Sequence, residues 1–344
     1  MTKSLMYPFV TQTANPLGGR CCWDVTAPND GRCVYCWSDR VRRKFNIAKY
    51  AGSESFLDES VLKERYGEGD FVFICDMRDL LNWNVSEDMI KRIFTWIAES
   101  PKAKFLLLTK NPKRLLAFMG VGTLPSANCI IGVTLESDLY YPHLTHAPPN
   151  WERVDAMREI KRRFGYETFV SVEPIIRFTA DLAPLIWLIH PWAVAVGYDN
   201  YKCKLAEPSQ LATLRLIQKL RKFTTVYLKS IRPAWWEGID FYRCSYCNQI
   251  LYSPLGEGKL KCPSCNRSDD TGFVKVDAEQ VWDERSFVKV ERVGSCPNCG
   301  YRGNLEQTEE KNGISWTCPE CGERIETDDP ERIMKAKHLS SKGA

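Results

Sequence analysis

The chain has 344 residues, 44% of them hydrophobic, with 11 Trp, 15 Cys and a formal charge of +4. That is enough apolar material for one large domain with appendages. No run of about 18 apolar residues exists to span a bilayer, and MTKSLMYPFV lacks a signal-peptide core, so a cytoplasmic protein with no membrane partner is expected. Most cysteines fall in CxxC pairs of a large chain, which favours metal ligation over disulfides. The charge carries no argument for nucleic acid, because it counts thiols as neutral. Each zinc held by four thiolates adds about −2, so two such sites bring the chain close to neutral.

In chain order, residues 1–13 contain LMYPFV, read as an opening strand. A cysteine loop follows, NPLGGRCCWDVTAPNDGRCVYCWSDRVRRK, with Cys21, Cys22, Cys33 and Cys36. Three thiolates can hold three irons of a 4Fe–4S cluster and leave the fourth iron open to chelate a small molecule. Two other readings stand beside this one. Four cysteines can form a zinc site, although adjacent cysteines suit one tetrahedral ion poorly because their side chains diverge. Free cysteines can also simply line a core. Arg40, Arg42, Arg43 and Lys44 then offer either an anion contact or a solvated helix face.

Beyond this loop, short apolar runs alternate with amphipathic stretches. The runs are Phe71–Cys75, Phe105–Leu108, Cys129–Val133, Phe169–Val172, Trp192–Val196 and Val226–Leu228. Their β-branched, aromatic and leucine content is that of parallel strands buried on both faces. Helices are predicted where Met89, Ile90, Ile93, Phe94 and Ile97 recur behind an N-capping Ser86, over 151–164, and where Leu211, Leu214, Ile217 and Leu220 recur behind Pro208. The fold class is α/β: a partial parallel β/α barrel over residues 1–232, with a doubly wound sheet as the alternative.

In a parallel barrel the strand C-termini meet at one rim, where sites form. Each run is followed within four residues by a charged group, which places Asp76, Arg78, Lys110, Glu136, Glu173, Asp199 and Lys229 around one mouth.

The tail changes character near residue 233. Cys244, Cys247, Cys262 and Cys265 form one C-x2-C … C-x2-C set, and Cys296, Cys299, Cys318 and Cys321 a second. Two paired knuckles supply four sulfurs at tetrahedral angles, the pattern of a zinc ribbon. The expected layout is a ribbon over 233–270, linking strands over 271–294, a second ribbon over 295–326 and a charged tail over 327–344. Ribbons of this size depend on their metal to fold, so two Zn2+ are expected. They serve equally as nucleic-acid binders or protein docks.

Cys33-Val34-Tyr35-Cys36 resembles the Cys-x-aromatic-Cys end of the radical S-adenosylmethionine (radical SAM) signature. The usual three-residue first gap is here eleven residues from Cys21 or ten from Cys22. NPLGGR, LLLTKNPKRL, IGVTLESD and FVSVEPI are similar to a partly phage-encoded branch of that superfamily, and that likeness favours Cys21. The resemblance covers residues 7–231. It implies a partial barrel, a 4Fe–4S cluster, S-adenosylmethionine as cofactor, and an electron donor such as flavodoxin or ferredoxin. It also implies that Tyr35 packs near the adenine. Glu136 and Glu173 would meet the ribose or the amino group, with Asp76 and Arg78 on the cofactor side, and Lys110 would meet the methionine carboxylate. Lys110, Asp199 and Lys229 are the residues expected to serve catalysis. The implied activity is generation of a 5′-deoxyadenosyl radical acting on a large substrate, nucleic acid or protein, reached through the ribbons. Repair or modification of a nucleobase is its concrete form. The rival reading is a zinc-dependent nucleic-acid-binding or docking protein without chemistry.

Overall fold

The computed structural model describes residues 6–21, 31–238, 240–253, 260–262, 264–267, 273–276, 287–289, 291–292, 306–310, 313–317 and 324–325. The chain divides into two compact units, Met1–Trp235 and Trp236–Ala344.

The first unit runs β1 (Gln12–Ala14), β2 (Leu17–Gly18), α1 (Trp37–Lys44), β3 (Phe56–Leu57), β4 (Phe71–Ile74), α2 (Glu87–Ala98), β5 (Lys104–Thr109), α3 (Pro112–Gly120), β6 (Cys129–Thr134), α4 (Asn150–Phe164), β7 (Glu167–Val172), α5 (Leu182–Ile189), β8 (Ala193–Val196), α6 (Gln210–Leu220) and β9 (Thr225–Leu228). Seven strands form a parallel sheet in the order β1-β4-β5-β6-β7-β8-β9. From β4 onward every strand lies beside its predecessor. Parallel crossovers are right-handed, so stepping always the same way stacks the helices on one face. The result is a partial β/α barrel.

Strands β4 to β8 are buried on both faces, which is why they read as nearly continuous apolar runs. Phe71, Phe73, Leu106, Ile130, Phe169, Ala193 and Ala195 face the same side and pack with Tyr7 and Val10. Side-chain caps start three helices: Ser86 accepts from Met89 N, Asn111 from Arg114 N, and Ser209 from Ala212 N. Gly165 ends α4 in the left-handed region.

One expectation is corrected here. LMYPFV is not the opening strand. Pro8 lacks an N–H, and Tyr7 and Phe9 are used as packing, stacked at 5.5 Å inside the barrel, while β1 begins at Gln12. Strands are present within 271–294, as expected there. β10 (Asp240–Cys244), β11 (Ile250–Ser253), β12 (Leu260–Lys261), β13 (Phe273–Val276), β14 (Phe287–Lys289) and β15 (Glu291–Arg292) belong to the second unit. β13 and β14 flank β10 and β11 in a four-stranded sheet of order β13-β10-β11-β14, and β15 pairs with β12. A further antiparallel sheet joins β16 (Glu306–Glu310), β17 (Gly313–Thr317) and β18 (Arg324–Ile325). Cys22, Cys296, Cys299, Cys318, Cys321 and the tail over 327–344 lie outside the described residues. Among the described residues no helix is long and apolar enough to cross a membrane.

Candidate functional site

A cavity of about 1250 Å³ opens where the strand C-termini converge, and Cys21, Cys33 and Cys36 all line it. Its construction begins with the glycines before Cys21. A Cβ on Gly18 would enter the Phe56 ring, and one on Gly19, at φ +87°, would strike the Glu54 carbonyl oxygen. Only glycine lets β2 lie against β3 and bring Cys21 to the rim. Arg78, buried, braces the same loop through the Gly18 carbonyl, Ser55 Oγ at 3.0 Å and Asn84 Oδ1 at 3.0 Å. Lys49 Nζ ties the loop from the other side, through Asn15 O at 2.6 Å and Asp58 at 2.5 Å.

Cys21 Sγ accepts from Asp79 N at 3.1 Å. The Asp79 carboxylate in turn accepts from Thr109 Oγ1 at 2.8 Å and Lys110 N at 2.7 Å. Cys21 is thereby fixed to the ends of both β4 and β5. Cys36 N donates to Cys33 O at 3.0 Å, closing the tight turn that starts α1, and Cys33 Sγ lies 3.2 Å from Thr145 Oγ1. Burial pushes the Cys33 thiol up to about 11, so a metal must displace its proton.

Behind these cysteines stands a buried charge network. Tyr35 donates to Glu136 Oε1 at 2.5 Å, Arg153 Nη1 lies 2.8 Å from Glu136 Oε2, and Lys110 Nζ is 3.8 Å from Glu136 Oε1. Burial alone would raise the Glu136 carboxyl, but Arg153 and Lys110 outweigh it and hold it below its usual range. Burial would likewise discharge Lys110, but Glu136 and Cys33 keep it above its usual value. Lys110 Nζ sits 5.6 Å from the Tyr35 ring centroid and reaches the cavity wall. Across the mouth, Lys229 Nζ meets Glu173 Oε2 at 2.9 Å, where a Cβ on Gly197 would crowd both. Asp199 accepts from Tyr201 N at 3.1 Å and Cys203 N at 2.6 Å, and Asp76 from Asn15 Nδ2 at 2.5 Å.

Asp76, Arg78, Lys110, Glu173, Asp199 and Lys229 therefore line one cavity together with Tyr35. Glu136 is not among the lining residues. It is 3% exposed, with one oxygen engaged by Tyr35 and the other by Arg153, and stands behind Tyr35 and Lys110. Arg153 and Asp79 were missed as site residues. Arg153 carried a signal: with Ala156, Met157 and Ile160 it falls on the apolar face of α4, where a guanidinium needs a buried partner.

The second unit holds a different set. The sulfurs of Cys244, Cys247, Cys262 and Cys265 lie within 4.8 Å of one another, with Cys244–Cys265 at 3.7 Å and Cys247–Cys262 at 3.4 Å. One tetrahedral ion with metal–sulfur bonds of about 2.3 Å wants sulfurs about 3.8 Å apart. The two knuckles are built alike. Asn248 donates to Cys244 O and Asn266 to Cys262 O, each asparagine at φ near +60°. Among the described residues this is the one group of metal-binding side chains drawn so closely together. Cys21, Cys33 and Cys36 form a wider set.

Residues 7–207 match the family model described as "Protein of unknown function (DUF5131)". The chain belongs to the DUF5131 family. No curated protein matches it. Solved structures similar to this DUF5131 chain are spore photoproduct lyases, each at 12% identity over 73% of this chain and 71% of theirs. One is a double mutant with bound AdoMet and dinucleoside spore photoproduct (TM-score 0.43), one a single mutant (0.42), and one is complexed with dinucleoside spore photoproduct (0.41). A likeness of this degree assigns no function to the DUF5131 chain.

Proposed function

We propose that this chain is a radical S-adenosylmethionine enzyme acting on nucleic acid, with a 4Fe–4S cluster on Cys21, Cys33 and Cys36. One observation carries the reading: three cysteines around a Cys-x-Tyr-Cys turn meet in a large cavity at the mouth of a parallel barrel. The donor set fits the group. Three sulfurs that line one cavity without closing to the spacing of a single ion suit a cluster in which each sulfur bonds a different iron. Bound there, such a cluster supplies one electron to S-adenosylmethionine and yields methionine and a 5′-deoxyadenosyl radical. The chain's own residues do the positioning. Tyr35, held by Glu136, offers a ring to the adenine. Lys110, kept charged, offers an ammonium to the methionine carboxylate. Glu173 and Asp76 offer carboxylates to the amino group and ribose, while Asp199 and Lys229 lie on the substrate side. The covered walls of the barrel exclude water from the radical. The ribbon cysteines, here assigned zinc, fold a module that recruits the large substrate. Electrons come from a flavodoxin- or ferredoxin-type donor, and the cytoplasm is the compartment that suits such chemistry.

Anaerobically purified protein tests this directly. About four iron and two zinc per chain, with 5′-deoxyadenosine formed on adding dithionite and S-adenosylmethionine, is the expected result. Three zinc and no iron would refute it and leave a zinc-stapled binding protein.

A further inference from the structure

Each of the three barrel cysteines has a donor group against its sulfur. Asp79 N donates to Cys21 Sγ at 3.1 Å. Thr145 Oγ1 lies 3.2 Å from Cys33 Sγ, and Ser38 Oγ lies 3.3 Å from Cys36 Sγ. Cys75 lines the same cavity and is more deeply buried, yet among the described residues no hydrogen bond reaches its sulfur. The donors are placed at the cysteines assigned to the cluster.

Thr145 is held in place for its contact. It sits on the loop between β6 and α4, 112 positions from Cys33. Val34 N donates to Leu144 O at 2.9 Å, which clips that loop to the Cys33–Cys36 turn. Leu144 N and Thr145 N both donate to Tyr141 O, at 3.0 and 3.3 Å. Thr145 is 5% exposed, and its Oγ1 accepts from Ala147 N at 3.2 Å. A turn of this kind uses the hydroxyl only as an acceptor. The proton of a buried hydroxyl still needs a partner, and among the described residues Cys33 Sγ is the partner it finds. Ser38, in the first turn of α1, stands likewise beside Cys36. A sulfur bound to metal has lost its proton, so at both cysteines the hydroxyl is then the donor.

A hydrogen bond onto a ligand sulfur favours whichever cluster state carries more negative charge. Reduction adds one electron, and the sulfurs carry part of it, so donors at the sulfurs raise the potential. We infer that Thr145 and Ser38 are positioning residues that donate to the cluster-bearing sulfurs of Cys33 and Cys36 and thereby set how readily the cluster accepts its electron. This inference rests on the proposed function and adds to it two residues that act through the ligands. The step is the transfer of one electron from the flavodoxin- or ferredoxin-type donor to the cluster. No bond breaks and no proton leaves either hydroxyl.

The test is a redox titration of the full, anaerobically metal-loaded protein without S-adenosylmethionine, followed by electron paramagnetic resonance, with iron measured on every sample. Thr145→Val keeps the shape and loses the hydroxyl. It is expected to hold about four iron and to have a reduction equilibrium about tenfold less favourable, which for one electron is about 59 mV lower in potential. Thr145→Ser, which restores the hydroxyl, is expected to stay at the wild-type potential. Ser38→Ala is expected to shift in the same direction as Thr145→Val, and it decides the question where Thr145→Val loses its iron. A merely structural role would change iron content or thermal stability, not the potential of a fully loaded cluster. Iron-loaded Thr145→Val or Ser38→Ala at the wild-type potential overturns the inference for that hydroxyl and leaves the radical enzyme standing. Thr145→Ser as low as Thr145→Val overturns it as well. Wild type without iron refutes the proposed function, and this inference with it.

Discussion

Arg153 and Glu136 form the most consequential pair at the scale of single residues. Both are almost fully buried, and the pair orients Tyr35 and Lys110. Removing one partner of such a pair leaves an uncompensated charge, so Arg153→Met is expected to cost about 3–5 kcal/mol at neutral pH, measured by urea unfolding. The sign of the pH dependence follows from Glu136, whose carboxyl lies below its usual range in the folded chain. Its contribution is fully present above the ordinary glutamate range and is lost as pH falls through the folded value. The gap between wild type and Arg153→Met should therefore narrow in acid. A gap that widens in acid contradicts this account.

The barrel and the cysteine loop differ in how far the sequence exposed them. The strands β4 to β8 were legible because burial on both faces leaves mostly apolar residues in each run, and the half-exposed β9 because Val226, Tyr227 and Leu228 still form a short apolar run. α5 was not, because LAPLIWLI is apolar throughout and carries Pro184, so no period marks it. At the site, the Cys33–Cys36 pair and the rim charges were readable from spacing and strand ends, whereas spacing left Cys21 and Cys22 open and only the family resemblance favoured Cys21. The inward turn of Glu136 was not, since its direction is set by Arg153 from α4, remote in sequence. The reason for Gly18-Gly19 was equally hidden, because it lies in the closeness of Phe56 and Glu54. Gly19→Ala must both bear a positive φ and displace the Glu54 backbone, which costs at least about 1 kcal/mol. The expected outcome is a folded barrel that retains less than half the wild-type iron after desalting, with the ribbon zinc unchanged. Full iron retention would show that the loop has another way to seat Cys21.

At the scale of the whole molecule the two compact units carry separate cysteine sets, Cys21, Cys33 and Cys36 in the first and Cys244, Cys247, Cys262 and Cys265 in the second. On the proposed zinc assignment, Cys244→Ser with Cys262→Ser is expected to remove one zinc and unfold the sheet of β10, β11 and β13, since Tyr242, Leu251 and Phe273 pack around those cysteines. Circular dichroism and zinc content check the loss. 5′-Deoxyadenosine formation without substrate should persist, because Cys21, Cys33 and Cys36 belong to the first unit. Its disappearance would mean that the units depend on one another.

The aromatic plug under the cavity sets a timetable for folding. Tyr7 reaches Ser171 at 3.2 Å across 164 positions of chain, and Phe9 packs on Phe169, Trp192 and Tyr227. These residues are synthesised before their partners, which are complete only once β9 has been made. Until then, rings destined for the centre of the barrel have nowhere to go. Contacts this distant in sequence close slowly, and exposed aromatics invite wrong partners meanwhile. The same segment that shapes the floor of the site leaves its rings exposed in the growing chain until those partners are made.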